Sequence, residues 1–281
     1  MLDAYENLAQ IIHTQANGKT IFYVPNPGNW GDGLINEGFK CFARYFKISF
    51  RQLTEREIQK RLKRRRGMCR WGAPRYGGVL IYGGGGAWCH NWPGAKDRAH
   101  DGAPLFDRLI VLPSTYELRN VYFDGSKATY FARDNLESTR NNKNAVFCPD
   151  MALFLRFDSS RYKVLKDRDV GYFFRTDKEA SGHLTLPPGN RDISREGKWQ
   201  KEATPFLREV GRFNEVHTDR LHVAIAGCLQ GSHVTLYPGN YFKNEAVYRS
   251  SLEPIFGGQI RFLSHYDSSA ATTAAENSLP S

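Results

Sequence analysis

EVHTDRLHVAIAGCLQGSHVTLY, Glu215 to Tyr237, reads as strand, helix and strand within 23 residues. Glu215-Val216-His217 is a brief strand. Thr218, Asp219, Arg220 and His222 then crowd the mouth of a small-residue helix (Val223, Ala224, Ile225, Ala226, Gly227), and Val234 to Tyr237 is an apolar run that forms the next strand. This alternation marks an α/β unit. A helix N-terminus offers unpaired N–H groups and a partial positive charge, so an arginine and a histidine there make an anion site with a titratable group beside it. Taken alone, an Asp or Thr cap followed by a satisfied histidine explains the string as well.

The same design recurs upstream. Thr20 to Val24 is a short buried strand that runs into Pro25-Asn26-Pro27-Gly28-Asn29-Trp30-Gly31-Asp32-Gly33, and a helix is expected from Leu34 to Tyr45. Glycines there let backbone approach a ligand, while Asn29 and Asp32 put polar side chains at the helix mouth; a tight turn capped by Asp32 is the plainer reading. Gly78 to Tyr82 is a second strand followed by Gly83-Gly84-Gly85-Gly86. Such a run is expected to serve a ligand rather than packing, with Trp88, His90 and Trp92 as a nearby wall. Leu109 to Pro113 ends in Ser114, Thr129 to Ala132 ends in Arg133 and Asp134, and Ala145 to Ala152 gives a fifth strand. Strands that all end in polar or glycine residues describe one ligand-binding sheet edge, the Rossmann-like arrangement.

The segment from Leu155 to Asp169 is charged and broken, which places a domain crossing there. Val170 to Phe174 opens a second set of strands, ending at Arg175. A long polar loop holding Pro187-Pro188-Gly189 and Arg191 is a candidate lid or recognition loop. The expected division is a first Rossmann-like domain over 1–157, a second over 158–267, and a disordered low-complexity tail over 268–281.

Composition narrows the classes. With 281 residues and 41% hydrophobic content the chain buries a sizeable core. Its five cysteines show no Cys-x-x-Cys spacing, so neither a zinc cage nor a disulfide framework is indicated. No metal is expected: the eight histidines are dispersed and the acidic residues near the motifs stand singly. No secretory leader and no membrane-spanning run is read, so the expected location is the cytoplasm. The net charge of +10 is concentrated in part between Lys60 and Arg70. A solvated helix end is the first reading of that run, peripheral docking on anionic lipid at the inner face of the membrane the second, and nucleic acid the last, because no nucleic-acid module accompanies the charge.

The ordered set Gly28-Asn29-Trp30-Gly31-Asp32 with Leu34-Ile35, Gly83 to Gly86, Leu112-Pro113-Ser114, Ala132-Arg133-Asp134 with Ser138, Pro149-Asp150-Met151-Ala152 and Arg220-Leu221-His222 resembles the polysaccharide pyruvyl transferase family, over about Ile21 to Leu252. The resemblance implies two Rossmann-like domains facing a cleft, as in GT-B glycosyltransferases. It also implies formation of a pyruvate ketal on a sugar of a polysaccharide or lipid-linked oligosaccharide. Phosphoenolpyruvate is then the donor and co-substrate, phosphate is released, and no cofactor is called for.

On that chemistry Arg133 and Arg220 are expected to hold the donor's anions. His222 is the expected proton donor to the methylene carbon, and Asp32 orients or deprotonates the acceptor hydroxyl. Asn29, Gly84, Gly85 and Ser114 are further expected substrate contacts, and Arg175 and Arg191 are expected to hold phosphates of a lipid- or nucleotide-linked acceptor, surface salt bridges being the plain alternative. The chain departs from the family after the Leu-Pro-Ser strand, where relatives often carry a histidine. Here Tyr116, Glu117 or His90 takes that place, or the donor is held differently. A nucleotide-sugar glycosyltransferase of GT-B type and a non-catalytic glycan- or anion-binding module are the alternative readings.

Overall fold

The computed structural model describes residues 1–67, 75–119, 121, 122, 127–182 and 185–263, and the side chains of all of these but 65–67. The expected tail over 268–281 and the end of the basic run, from residue 68, lie outside them.

Helix α1 (Leu2–Ala16) buries Tyr5, Leu8, Ile12 and Ala16 at helical spacing and ends at Asn17, whose φ of 44° is left-handed. Four-residue apolar runs then make the strands. β1 (Ile21–Val24) and β3 (Val79–Tyr82) are buried throughout, as strands covered on both faces must be. Between them come α2 (Trp30–Tyr45), a two-residue edge strand β2 (Arg51–Gln52) and α3 (Glu55–Gly67). A capping box starts α3: the Glu57 carboxylate accepts from the Thr54 backbone and hydroxyl, and the Thr54 hydroxyl accepts from the Glu57 N–H. The chain continues through β4 (Gly85–Trp88), α4 (Gly94–Gly102), β5 (Arg108–Tyr116), β6 (Ala128–Ala132), α5 (Glu137–Asn141) and β7 (Val146–Phe147).

These seven strands form one parallel sheet ordered β2-β1-β3-β5-β6-β7, with β4 paired to the end of β5. After β1 the chain moves outward to β2, then crosses back to β3 on the other side of β1. The β1/β3 boundary is therefore the switch point where connections diverge and open sheets of this kind bind ligands.

The second sheet is also parallel, in the order β11-β10-β9-β8. Its elements are β8 (Arg168–Tyr172), α6 (Ala203–Gly211), β9 (Phe213–Thr218), α7 (Leu221–Leu229), β10 (His233–Leu236), α8 (Lys243–Val247), α9 (Glu253–Phe256) and β11 (Ile260–Phe262). Almost every residue of α7 is buried, and it lies close on the sheet because residue 227 is glycine: a Cβ there would come within 2.9 Å of Val234.

By contacts the chain divides into two compact units, Met1–Gly28 with Asp32–Leu155, and Asn29–Gly31 with Arg156 onward. The architecture is thus mixed α/β with parallel, Rossmann-like sheets. Among the described residues no helix is long and apolar enough to cross a membrane. Cys41, Cys89, Cys148 and Cys228 are buried free thiols.

Candidate functional site

The carboxyl ends of the second unit's strands gather its buried charges. β8 passes through buried Phe173 and Phe174 to Arg175, whose backbone N–H donates to Asp219 Oδ1 at 2.8 Å. The Arg175 guanidinium meets Glu179 at 2.5 Å and Asp177 at 2.9 Å, and Lys243 meets Glu179 from the start of α8. Arg220, at the N-cap of α7 and 4% exposed, points one nitrogen, Nη2, at Asp177 (2.9 Å) and Asp192 (2.6 Å). The polar loop predicted as a lid supplies Asp192, and it is laced to the strand: Arg191 N donates to Tyr172 O, and the Asn190 side chain bonds the Phe174 backbone both ways.

Three cations and four carboxylates share this cluster, and burial decides their electrostatics. Burial pushes Asp219 up to about 6 against the Arg175 N–H and the charges of Arg175 and Arg220. Burial also acts on Glu179, but Lys243 and Arg175 outweigh it and hold that carboxyl well below the usual range. Asp177 is lowered in the same way, burial losing to Arg175 and Arg220. Among the described residues three buried atoms of this cluster have no hydrogen-bond partner, Arg175 Nε, Arg220 Nε and Asp192 Oδ1. Such atoms are uncommon and mark places where water or a ligand completes the bonding.

His222 lies in the first turn of α7, two residues after Arg220. Gly31 belongs to the same unit, and a Cβ on it would fall 2.7 Å from His222 Nδ1 and 3.0 Å from Asn29 Oδ1. Backbone therefore lies against the imidazole, which is what residue 31 needs glycine for. Asn29 spends its Oδ1 on the Gly31 N–H at 2.8 Å, and Trp30 donates to Glu202 O and meets Phe206 edge-on.

In the first unit the switch point carries its own polar group. Asn26 Nδ2 donates to Asp32 Oδ1 (3.3 Å), and Tyr82 OH donates to Asn26 Oδ1 (3.1 Å). Gly28 and Gly85 line the Asp32 carboxylate, since a Cβ on either would stand 1.9 Å and 3.5 Å from its oxygens. Gly85, at φ 121°, needs a residue without a side chain. The expectation that the glycine run serves a ligand and not packing is corrected at Gly83 and Gly84. Cβ atoms there would collide with Asn26 N at 2.5 Å and Pro113 O at 2.2 Å, so close backbone packing demands both glycines. Trp88 is likewise core rather than wall, 1% exposed.

Ser114 is fully buried in β5, donating to Leu112 O. Arg133 is also inside the first unit: Nε donates to Thr115 Oγ1 and Nη1 to Asp150 Oδ2, each at 2.7 Å, with 1% of the residue exposed. Its expected grip on a substrate anion thus gives way, in this conformation, to an internal ion pair that holds the start of the 3-10 segment Met151–Tyr162. Arg191 is clasped by Glu196 and Glu209 at the surface. After Ser114, Tyr116 is buried and Glu117 accepts the His90 backbone N–H. The structure therefore sets Asn29 and Gly31 beside His222 in one unit and Asp32 with Gly85 in the other, and turns Arg133, Arg175, Arg220 and Ser114 inward, Arg220 onto Asp177 and Asp192. Sequence reading missed Asp177, Asp192 and Lys243, which carry no motif; Asp219, directly before Arg220, reads in the sequence as a cap or one more polar group at the helix mouth.

No protein-family model matches the chain, and no curated protein matches it. The chain is similar to a solved structure of a functionally uncharacterised protein from Klebsiella pneumoniae subsp. pneumoniae, with 25% sequence identity and a TM-score of 0.75 over 94% of this chain and 100% of that one. The likeness accords with the α/β fold and carries no statement of activity.

Proposed function

We propose that the protein is a pyruvyl transferase that forms a cyclic pyruvate ketal on a sugar, with phosphoenolpyruvate as donor. On this reading the two α/β units are the Rossmann-like domains of a GT-B-type transferase, and the acceptor sugar is part of a polysaccharide or a lipid-linked oligosaccharide. The observation that carries it is Arg220: a buried guanidinium at the mouth of α7, with Nε unpartnered among the described residues, two residues ahead of a histidine. A guanidinium edge and helix N–H groups suit a carboxylate or phosphate, and an imidazole beside them suits proton transfer to the same molecule.

The steps balance as follows. His222 protonates the methylene carbon, which becomes the methyl group, and C2 becomes electrophilic. One sugar hydroxyl adds to C2 and gives up its proton, restoring His222. Phosphate then leaves C2, the second hydroxyl adds, and its proton departs with the phosphate. Asp32 is the group the reading assigns to the acceptor hydroxyl. Phosphate release measured with phosphoenolpyruvate and a panel of oligosaccharides, followed by mass spectrometry for the added pyruvate, tests the proposal. Ketal formation that is lost in His222→Ala supports it. Turnover of nucleotide-sugars with nucleotide release would assign the chain to the glycosyltransferases instead.

A further inference from the structure

The first unit separates charge along its sheet. Eleven of the 39 lysines and arginines but only two of the 29 acidic residues fall between Lys40 and Gly67, so this stretch accounts for nine of the net +10. Its two acids, Glu55 and Glu57, stand in the first turn of α3. Tyr23 packs on Phe39 of α2, while its neighbour Phe22 shares a core with Ile58 of α3, so the two helices flank edge strand β2 on opposite faces of the sheet. Because β1, β2 and β3 are parallel, both helices run back across the sheet and finish where the strands begin. That amino edge receives exposed Arg44 from the last turn of α2 and Lys47 just after it, Arg51 at the head of β2, and exposed Lys60, Lys63 and Arg64 from α3. A groove of about 450 Å³ beside the end of α2 is lined by Lys40, Arg44, Lys47 and Ser49. The candidate ligand groups of the same unit, Asn26, Asp32 and Gly85, lie at the opposite, carboxyl edge.

We infer that this amino edge is a docking face for an anionic phospholipid surface. Lysines and arginines near such a surface each add an attraction that falls off within a Debye length. Tyr45, 55% exposed between Arg44 and Lys47, is an amphipathic ring of the kind that sits at headgroup depth. A single-stranded nucleic acid needs successive exposed rings to stack on, and Tyr45 is the one exposed aromatic among the described residues of this edge.

The test is co-sedimentation of the full chain with phosphatidylcholine vesicles, with and without about 30% phosphatidylglycerol, at ~0.1 M salt, where surface charges still act over about 10 Å. The variant Lys47→Gln, Lys60→Gln, Lys63→Gln, Arg64→Gln is compared with a charge-matched control, Arg140→Gln, Lys143→Gln, Arg161→Gln, Lys163→Gln. The expected result is binding that requires phosphatidylglycerol, weakens with salt, and drops at least about tenfold in the first variant but not in the control. Equal binding to both vesicles, or equal loss in both variants, overturns the inference. So does tighter binding to an RNA oligonucleotide than to the charged vesicles at the same salt.

Discussion

Asp219 precedes Arg220 and carries the raised carboxyl of the cluster, from 3.8 to about 6. Since folding raises its pKa, the fold favours the protonated form. Its contribution to stability is full below pH ~3.8 and is lost as pH rises through about 6, a change on the order of 3 kcal/mol. Asp219→Asn keeps an oxygen for the Arg175 N–H and removes the titration. The unfolding free energy of the variant relative to wild type is therefore expected to rise by that amount between pH 4 and 7 in denaturant titrations; a flat difference would show Asp219 ionising normally. Gly31 makes the second residue-scale case. In Gly31→Ala the new methyl must displace His222 or strain the turn, an overpacking of about 1–3 kcal/mol. The expected outcome is a chain that still folds but loses phosphate release; full activity would mean that the imbalance is absorbed away from the imidazole.

At the scale of elements, the buried Arg133–Asp150 pair joins the end of β6 to the segment that follows β7. Removing one partner leaves an uncompensated buried charge, so Arg133→Ala is expected to cost about 3–5 kcal/mol of stability, and Arg133→Met with Asp150→Asn to recover much of it. Thermal unfolding of the two variants checks this, and equal losses would mean that the pair's charge is not what matters. Nothing in the sequence announces this pair: Ala132-Arg133-Asp134 at a strand exit reads as a ligand group, and only tertiary burial shows where the guanidinium goes. The strands β1, β3 and β10 were legible because each is an apolar run bounded by turn residues. β2, β4 and β11 were not, because they carry no apolar run of four residues and are held by pairing rather than by their own hydrophobicity. α2 begins at Trp30 rather than the expected Leu34, its first turn including Gly31, which the close approach of His222 requires to be small.

Over the whole molecule, the alternation of strands and helices in the sequence carried the parallel α/β class, since only crossover connections arrange such runs. The candidate site was legible at its motif residues, Arg220, His222, Asn29 and Asp32. The carboxylates that surround Arg220 come from loops distant in sequence and have no periodicity or spacing to reveal them. A ligand held by this cluster stabilises the whole chain by mass action, about 2.7 kcal/mol at a hundredfold excess over its dissociation constant. Melting curves with phosphoenolpyruvate are accordingly expected to shift upward, and those with inorganic phosphate less so. The most direct measurement is calorimetric titration of phosphoenolpyruvate into the wild type and Arg220→Lys, a variant that keeps the charge near Asp177 and Asp192 but loses the guanidinium edge. The account predicts binding to the wild type and at least about tenfold weaker binding to the variant; equal affinity in the two proteins, or no binding to either, would contradict it.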